Sequence, residues 1–126
     1  MREFARSLPM ALLKARESVM SRFRPLLRAH DLTEQQWRVL RAGVGAGGPE
    51  VTALARRSFI LMPSLSRILQ NLEARALIKR RPAKKDQRRA LISVTKAGRT
   101  LVARIAPYSE RHYAEIERIF GPEKLE

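Results

Sequence analysis

The chain has 126 residues, 44% of them hydrophobic, with no cysteine and a formal net charge of +14. That is enough for one domain with a modest core, and it excludes a disulfide framework, thiolate chemistry and cysteine-based oxidation sensing. The charge is uneven: residues 51–100 hold thirteen Lys or Arg against two Asp or Glu, while residues 101–126 hold four against five. A positive field of that size favours a polyphosphate partner. No apolar run approaches the ~20 residues needed to span a membrane. The first segment is dotted with charges and lacks a secretory signal, so the sequence reads as a soluble, cytoplasmic protein.

Phe4, Leu8, Leu12, Ala15, Val19 and Phe23 recur every three or four residues, which predicts an amphipathic first helix with Ser7 and Pro9 near its start. Pro25 is expected to kink or end it, because the ring blocks the preceding turn and the nitrogen has no hydrogen to donate. An apolar stripe this long requires a partner surface. Thr33 to Gln36 carries the capping-box pattern, opening a second helix with Trp37, Leu40 and Val44 on one face. The run Gly45-Ala46-Gly47-Gly48-Pro49 ends it, and a short third helix covers residues 51–57. Phe59, Ile60 and Leu61 read as an apolar turn, with Pro63 at the first position of a fourth helix.

In that fourth helix Leu65, Ile68, Leu69 and Leu72 form a buried stripe and leave Ser64, Ser66, Arg67, Gln70 and Asn71 outside. Hydroxyls, amides and one cation are the groups that approach a phosphate backbone and hydrogen-bond base edges in a major groove. An ordinary solvated face has the same composition, so the next segment of the chain decides between the two. Residues 79–89 contain seven Lys or Arg, including Lys84, Lys85, Arg88 and Arg89, against Asp86 alone. A disordered basic tail would not lead at once into Leu91, Ile92 and Val94. Two short strands joined by a basic turn make a β-hairpin. Asp86, two residues before Arg88, is placed to pair with a neighbouring arginine and aim it. A plain surface ion pair, worth about 0–1 kcal/mol, is the alternative. Thr95 then caps a fifth helix carrying Leu101, Val102 and Ile105 that is expected to break at Pro107. A sixth carries Tyr113, Ile116, Ile119 and Phe120, and residues 122–126 read as the start of another.

Helices followed by a hairpin give a mainly α (α+β) fold, a winged helix-turn-helix with a wing of two or three strands. Here the chain resembles the MarR family of transcriptional regulators. The likeness is carried by LTEQQWRVL at 32–40, VTALARR at 51–57, PSLSRILQNLEARALI at 63–78, and the spacing of Asp86, Arg88, Thr95 and Gly98. Residues 7–42 resemble the branch that regulates homoprotocatechuate and hydroxyphenylacetate breakdown. The resemblance implies a homodimer on double-stranded DNA with a pseudo-palindromic operator. Residues 1–31 and 99–126 would form the dimer helices and residues 32–98 the DNA-binding lobe. It places Pro63, Ser64, Ser66, Arg67 and Gln70 in the major groove and Asp86 and Arg88 in the wing, where Lys84, Lys85 and Arg89 add to the positive face. One departure is Ala76, where the family usually has Gly. In a left-handed conformation Ala costs about 1 kcal/mol more than Gly.

The resemblance also implies a small aromatic acid as effector. A cation for the carboxylate and an aromatic or apolar face for the ring are the chemistry required, and Met10, Arg16, Trp37 and Met62 are the candidates, although a lone Trp is more often core. Neither His30 nor His112 has a partner at metal-ligand spacing, no nucleophile–base set can be assembled, and no cofactor is called for. The expected function is a sequence-specific repressor of an aromatic catabolic operon. Its rival is a sequence-tolerant architectural nucleic-acid binder.

Overall fold

The computed structural model describes residues 7–86 and 89–120, with the backbone alone at positions 113, 116, 119 and 120. Helix α1 (Leu8–Ala29) begins where the Ser7 hydroxyl accepts the Met10 N–H at 3.4 Å, with Pro9 in the first turn. Of the two outcomes expected at Pro25, an end is overturned: the helix runs through the proline. The proline removes one rung, to the Ser21 carbonyl, at a cost of about 3 kcal/mol in a helix interior. Burial of Phe23 and Leu27 on either side of it holds the last turn in place.

The same correction applies at the other end. Helix α5 (Lys96–Phe120) is one continuous helix with Pro107 inside it, not a fifth and a sixth. Ile105 and Ser109 are buried on the two sides of the proline, and α5 packs against α1 and α2. Tertiary packing overrides the local breaker.

Helix α2 (Glu34–Ala46) has the complete capping box: Thr33 Oγ1 accepts the Gln36 N–H at 3.1 Å and Gln36 Oε1 accepts the Thr33 N–H at 3.0 Å. Gly47, left-handed at φ 68, ends it. Helices α3 (Val51–Ser58) and α4 (Met62–Ala74) follow, then the antiparallel strands β1 (Ile78–Pro82) and β2 (Ala90–Val94), with Ile78 opposite Val94 and Pro82 opposite Ala90. A single bridge from Glu50 to Leu91 lays the start of α3 along the outer edge of β2. Leu40, Leu54, Leu65, Leu69, Leu72, Ile92 and Ile105, drawn from α2, α3, α4, β2 and α5, are fully buried.

The joint between α4 and the wing is built tightly. Ala76 takes the left-handed conformation at φ 59, and the Leu77 N–H returns to the Leu72 carbonyl at 2.9 Å. This is the helix exit at which Gly is favoured. The Thr95 hydroxyl donates to the Ala76 carbonyl at 2.7 Å and accepts the Gly98 N–H at 3.1 Å. A Cβ at Gly98 would collide with the Leu77 carbonyl. Thr95 and Gly98 thus lock the end of α4, the wing and α5 together.

Two apolar expectations need adjustment. Only Ile60 of the Phe59-Ile60-Leu61 turn is buried; Phe59 is 88% exposed and Leu61 80%. On α1, Leu8, Leu12 and Leu13 are exposed, so among the described residues the first part of the stripe lacks a cover while Phe23 at its far end is buried. Phe4, Arg88, the expected helix at 122–126 and the side chains of Tyr113, Ile116, Ile119 and Phe120 lie outside the described residues. Among the described residues no helix is long and apolar enough to cross a membrane.

Candidate DNA interface and ligand cleft

Helix α4 buries Leu65, Ile68, Leu69 and Leu72. Its other side presents Pro63, Ser66, Arg67 and Gln70 to solvent, with Ser64 half-buried. Asn71, grouped with these by periodicity, is engaged elsewhere: its Oδ1 accepts from Gln36 Nε2 at 3.0 Å. One turn later Arg75 Nη1 donates to the Asp31 carbonyl at 2.8 Å. These bonds tie the C-terminal half of α4 to the α1–α2 corner and leave its N-terminal half to face a partner.

In the wing Lys84 and Lys85 are exposed. The turn is closed by the Ala83 N–H on the Arg89 carbonyl at 2.8 Å and the Arg89 N–H on the Asp86 carbonyl at 3.1 Å. The Arg89 side chain donates to Glu50 Oε2 at 2.6 Å. Glu50 therefore holds one arginine of the wing turn, a pairing across 39 positions that no local pattern reveals. Arg80 lies 3.4 Å from Glu73. The remaining described cations of residues 79–86, Lys79, Arg81, Lys84 and Lys85, are exposed, Arg81 over a hollow that Gly43, Gly47, Ser93 and Arg99 also line. The exposed polar side of α4 and the exposed cations of the wing are the groups that meet a duplex phosphate backbone.

Behind this face lies a cleft of ≈ 320 Å³ between α1, α2 and α5, within the range of small-molecule pockets. Met20 and Phe23 of α1, Trp37, Arg38 and Arg41 of α2 and Ser109 of α5 line it. The Arg41 guanidinium lies 5.8 Å from the Trp37 ring centroid, and His112 meets Phe23 edge-on at 5.2 Å. Arg38 Nε is buried with no hydrogen-bond partner among the described residues, a costly state for a guanidinium nitrogen. A carboxylate is the natural acceptor for such a donor.

Arg16 also borders the cleft, but its charge is taken. It donates to Glu34 Oε1 at 3.0 Å, and Arg24 grips Glu17 with bonds of 2.7 and 2.9 Å. Arg24 holds the Glu17 carboxyl below the usual range, chiefly by these hydrogen bonds. Glu34 Oε2, buried and without a hydrogen bond among the described residues, lies 3.8 Å from Arg24.

Of the four expected ligand residues the structure brings Arg16 and Trp37 to the cleft. Met10 lies earlier on α1 and Met62 at the first position of α4, neither on its lining. Arg38 and Arg41, which also line the cleft, were not singled out from the sequence. The signal was present: Glu34, Trp37, Arg38 and Arg41 recur at three- and four-residue steps, one face of a helix.

Comparison with known proteins agrees with this geometry. Residues 30–89 match a MarR family model. The homoprotocatechuate degradative operon repressor of Escherichia coli is 43% identical over 95% of this chain and 81% of that protein. The solved structure of NadR in complex with 4-hydroxyphenylacetate is 35% identical, with a TM-score of 0.85 over 99% of this chain and 89% of that one. The transcriptional repressor CouR, solved bound to a 23-mer DNA duplex, is 28% identical, with a TM-score of 0.86 over 98% and 88%. Recognition helix, wing and near full-length likeness to these proteins together establish that the chain belongs to the MarR family.

Proposed function

We infer that the chain is a sequence-specific DNA-binding transcriptional repressor of an aromatic catabolic operon, released by a small aromatic carboxylic acid. The observation that carries this reading is that one helix serves two surfaces. From α2, Gln36 bonds to the recognition helix while Trp37, Arg38 and Arg41 line the cleft. A ring seated on Trp37 with its carboxylate at Arg38 and Arg41 would bear directly on the element that positions α4. NadR, solved with 4-hydroxyphenylacetate, names the ligand class to try.

The protein acts as a homodimer on a pseudo-palindromic operator. The exposed leucines of α1 and the length of α5 supply the dimer surface, so residues 1–31 and 99–126 form the stem and residues 32–98 the lobe. Two-fold symmetry then sets the two recognition helices one turn of DNA apart, about 34–36 Å. Pro63, Ser64, Ser66, Arg67 and Gln70 enter the major groove, and Lys84, Lys85 and the wing tip flank it. An effector that favours another spacing releases the DNA; a coupling of about 1–3 kcal/mol weakens binding about 5- to 150-fold. No catalytic step is needed.

A fluorescence-anisotropy titration onto the upstream intergenic DNA of its own gene and onto shuffled DNA, at one salt concentration, tests this reading. The expected preference is about 10³ or more, reduced by 4-hydroxyphenylacetate. Equal affinity for both DNAs would return the architectural alternative.

A further inference from the structure

Two positions in the α3–α4 turn break the local rules of stability. Phe59 holds φ 55 and ψ 47 at the end of α3, with its N–H on the Arg56 carbonyl and the Ile60 N–H on the Ala55 carbonyl. Glycine is favoured at such an exit, because a Cβ is strained there. Leu61 is the N-cap of α4, a position at which Ser, Thr, Asp or Asn would satisfy a free backbone N–H. Burial does not compensate: Phe59 is 88%, Leu61 80% and Met62 42% exposed. Large apolar side chains held in solvent where smaller or polar ones would fold better mark a contact surface.

Charge identifies what that surface meets. Exposed Arg56 and Arg57 precede the turn, and exposed Arg67 lies beyond it on α4. An apolar cluster framed by arginines fits a polyanion that also offers apolar groups. In the major groove that group is the C5 methyl of thymine, and the first residues of a recognition helix are those that meet base edges.

We propose that Leu61 and Met62, together with Phe59 of the same turn, read thymine methyl groups in the operator. The inference rests on the DNA-binding reading above and adds an apolar readout to the hydrogen-bonding one of Ser64, Ser66, Arg67 and Gln70. It also gives Met62 a role on the DNA face in place of the effector cleft.

Replacing the thymines of each half-site by deoxyuridine removes the methyl groups and nothing else. Wild-type protein is expected to bind the deoxyuridine duplex about fourfold more weakly per contacted methyl. In Leu61→Ser, Met62→Ala and Phe59→Gly the ratio of thymine to deoxyuridine affinity should fall towards one. Leu61→Ser installs a better cap and Phe59→Gly a better left-handed residue, so both should melt at the wild-type temperature or above it. Discrimination lost with stability kept is an outcome that a purely structural role does not produce. Equal wild-type affinity for the two duplexes, variants that keep the wild-type ratio, or lower melting temperatures in both Leu61→Ser and Phe59→Gly would each overturn the proposal. Operator preference over shuffled DNA, measured alongside, tells the failures apart: if it is present, only the thymine reading falls, and if it is absent, the DNA-binding reading falls too.

Discussion

Two arginine-rich regions of the molecule are alike to a charge count and are treated differently by the fold. At the α1–α2 corner Arg16 and Arg24 are neutralised by Glu17 and Glu34. On the α4–wing face Glu73 and Glu50 take Arg80 and Arg89, while Arg67, Lys79, Arg81, Lys84 and Lys85 remain exposed. Cationic density in a sequence is therefore not the charge offered to a ligand. Within the corner itself the contrast recurs, since Arg38 sits near the paired Arg16 and has an orphaned Nε.

The largest expected effect separates those two arginines. Arg38→Met should raise the effector concentration for half-release by about 10- to 150-fold, the loss of a charge-assisted hydrogen bond worth about 1.5–3 kcal/mol. Arg16→Ala, whose charge Glu34 already answers, should shift it far less. An effector titration against preformed operator complex measures both, and equal effects would break the distinction. Next in size, Arg67→Ala should lower operator affinity by about 1–3 kcal/mol and relax specificity, whereas Lys85→Ala should weaken all DNA alike and reduce the salt slope by about one. Anisotropy across a salt series distinguishes them.

Ala76→Gly should raise stability by about 1 kcal/mol, because the residue is left-handed and exposed; urea unfolding reads the gain. A loss would mean that the joint between α4 and the wing depends on the methyl. The smallest effect belongs to Glu17, exposed and held below its usual pKa mainly by Arg24. Its folded value lies under its unfolded one, so its contribution is present above the unfolded pKa and disappears as pH falls through the folded one. Glu17→Gln should thus lower the melting temperature slightly at neutral pH and not at all in strong acid.

Much of the fold was legible in the chain. The capping box at Thr33, the glycines after Ala46, the stripe of α4 and the basic hairpin all rest on signals within a few residues. The expected break at Pro107 fails for a tertiary reason. Neither it nor Pro25 ends a helix, because buried neighbours on both sides hold the turns that a local rule would break. The cleft was half legible for a related reason. Periodicity gave the faces of α1 and α2 separately, but which faces meet, and that Glu34 consumes Arg16, depends on how three helices pack. Met10 and Met62 suit the ligand by chemical type alone, without a face to place them. Asn71 and Arg89 have long-range partners in Gln36 and Glu50 that no spacing announces.

A cleft coupled to the DNA face obeys reciprocity: operator must weaken effector binding by the factor that effector weakens operator binding. Calorimetric titration of 4-hydroxyphenylacetate into the free protein and into the operator complex measures this directly. Binding to the complex should be weaker, by the same factor that anisotropy gives for release. Identical affinity for both forms would contradict the coupling.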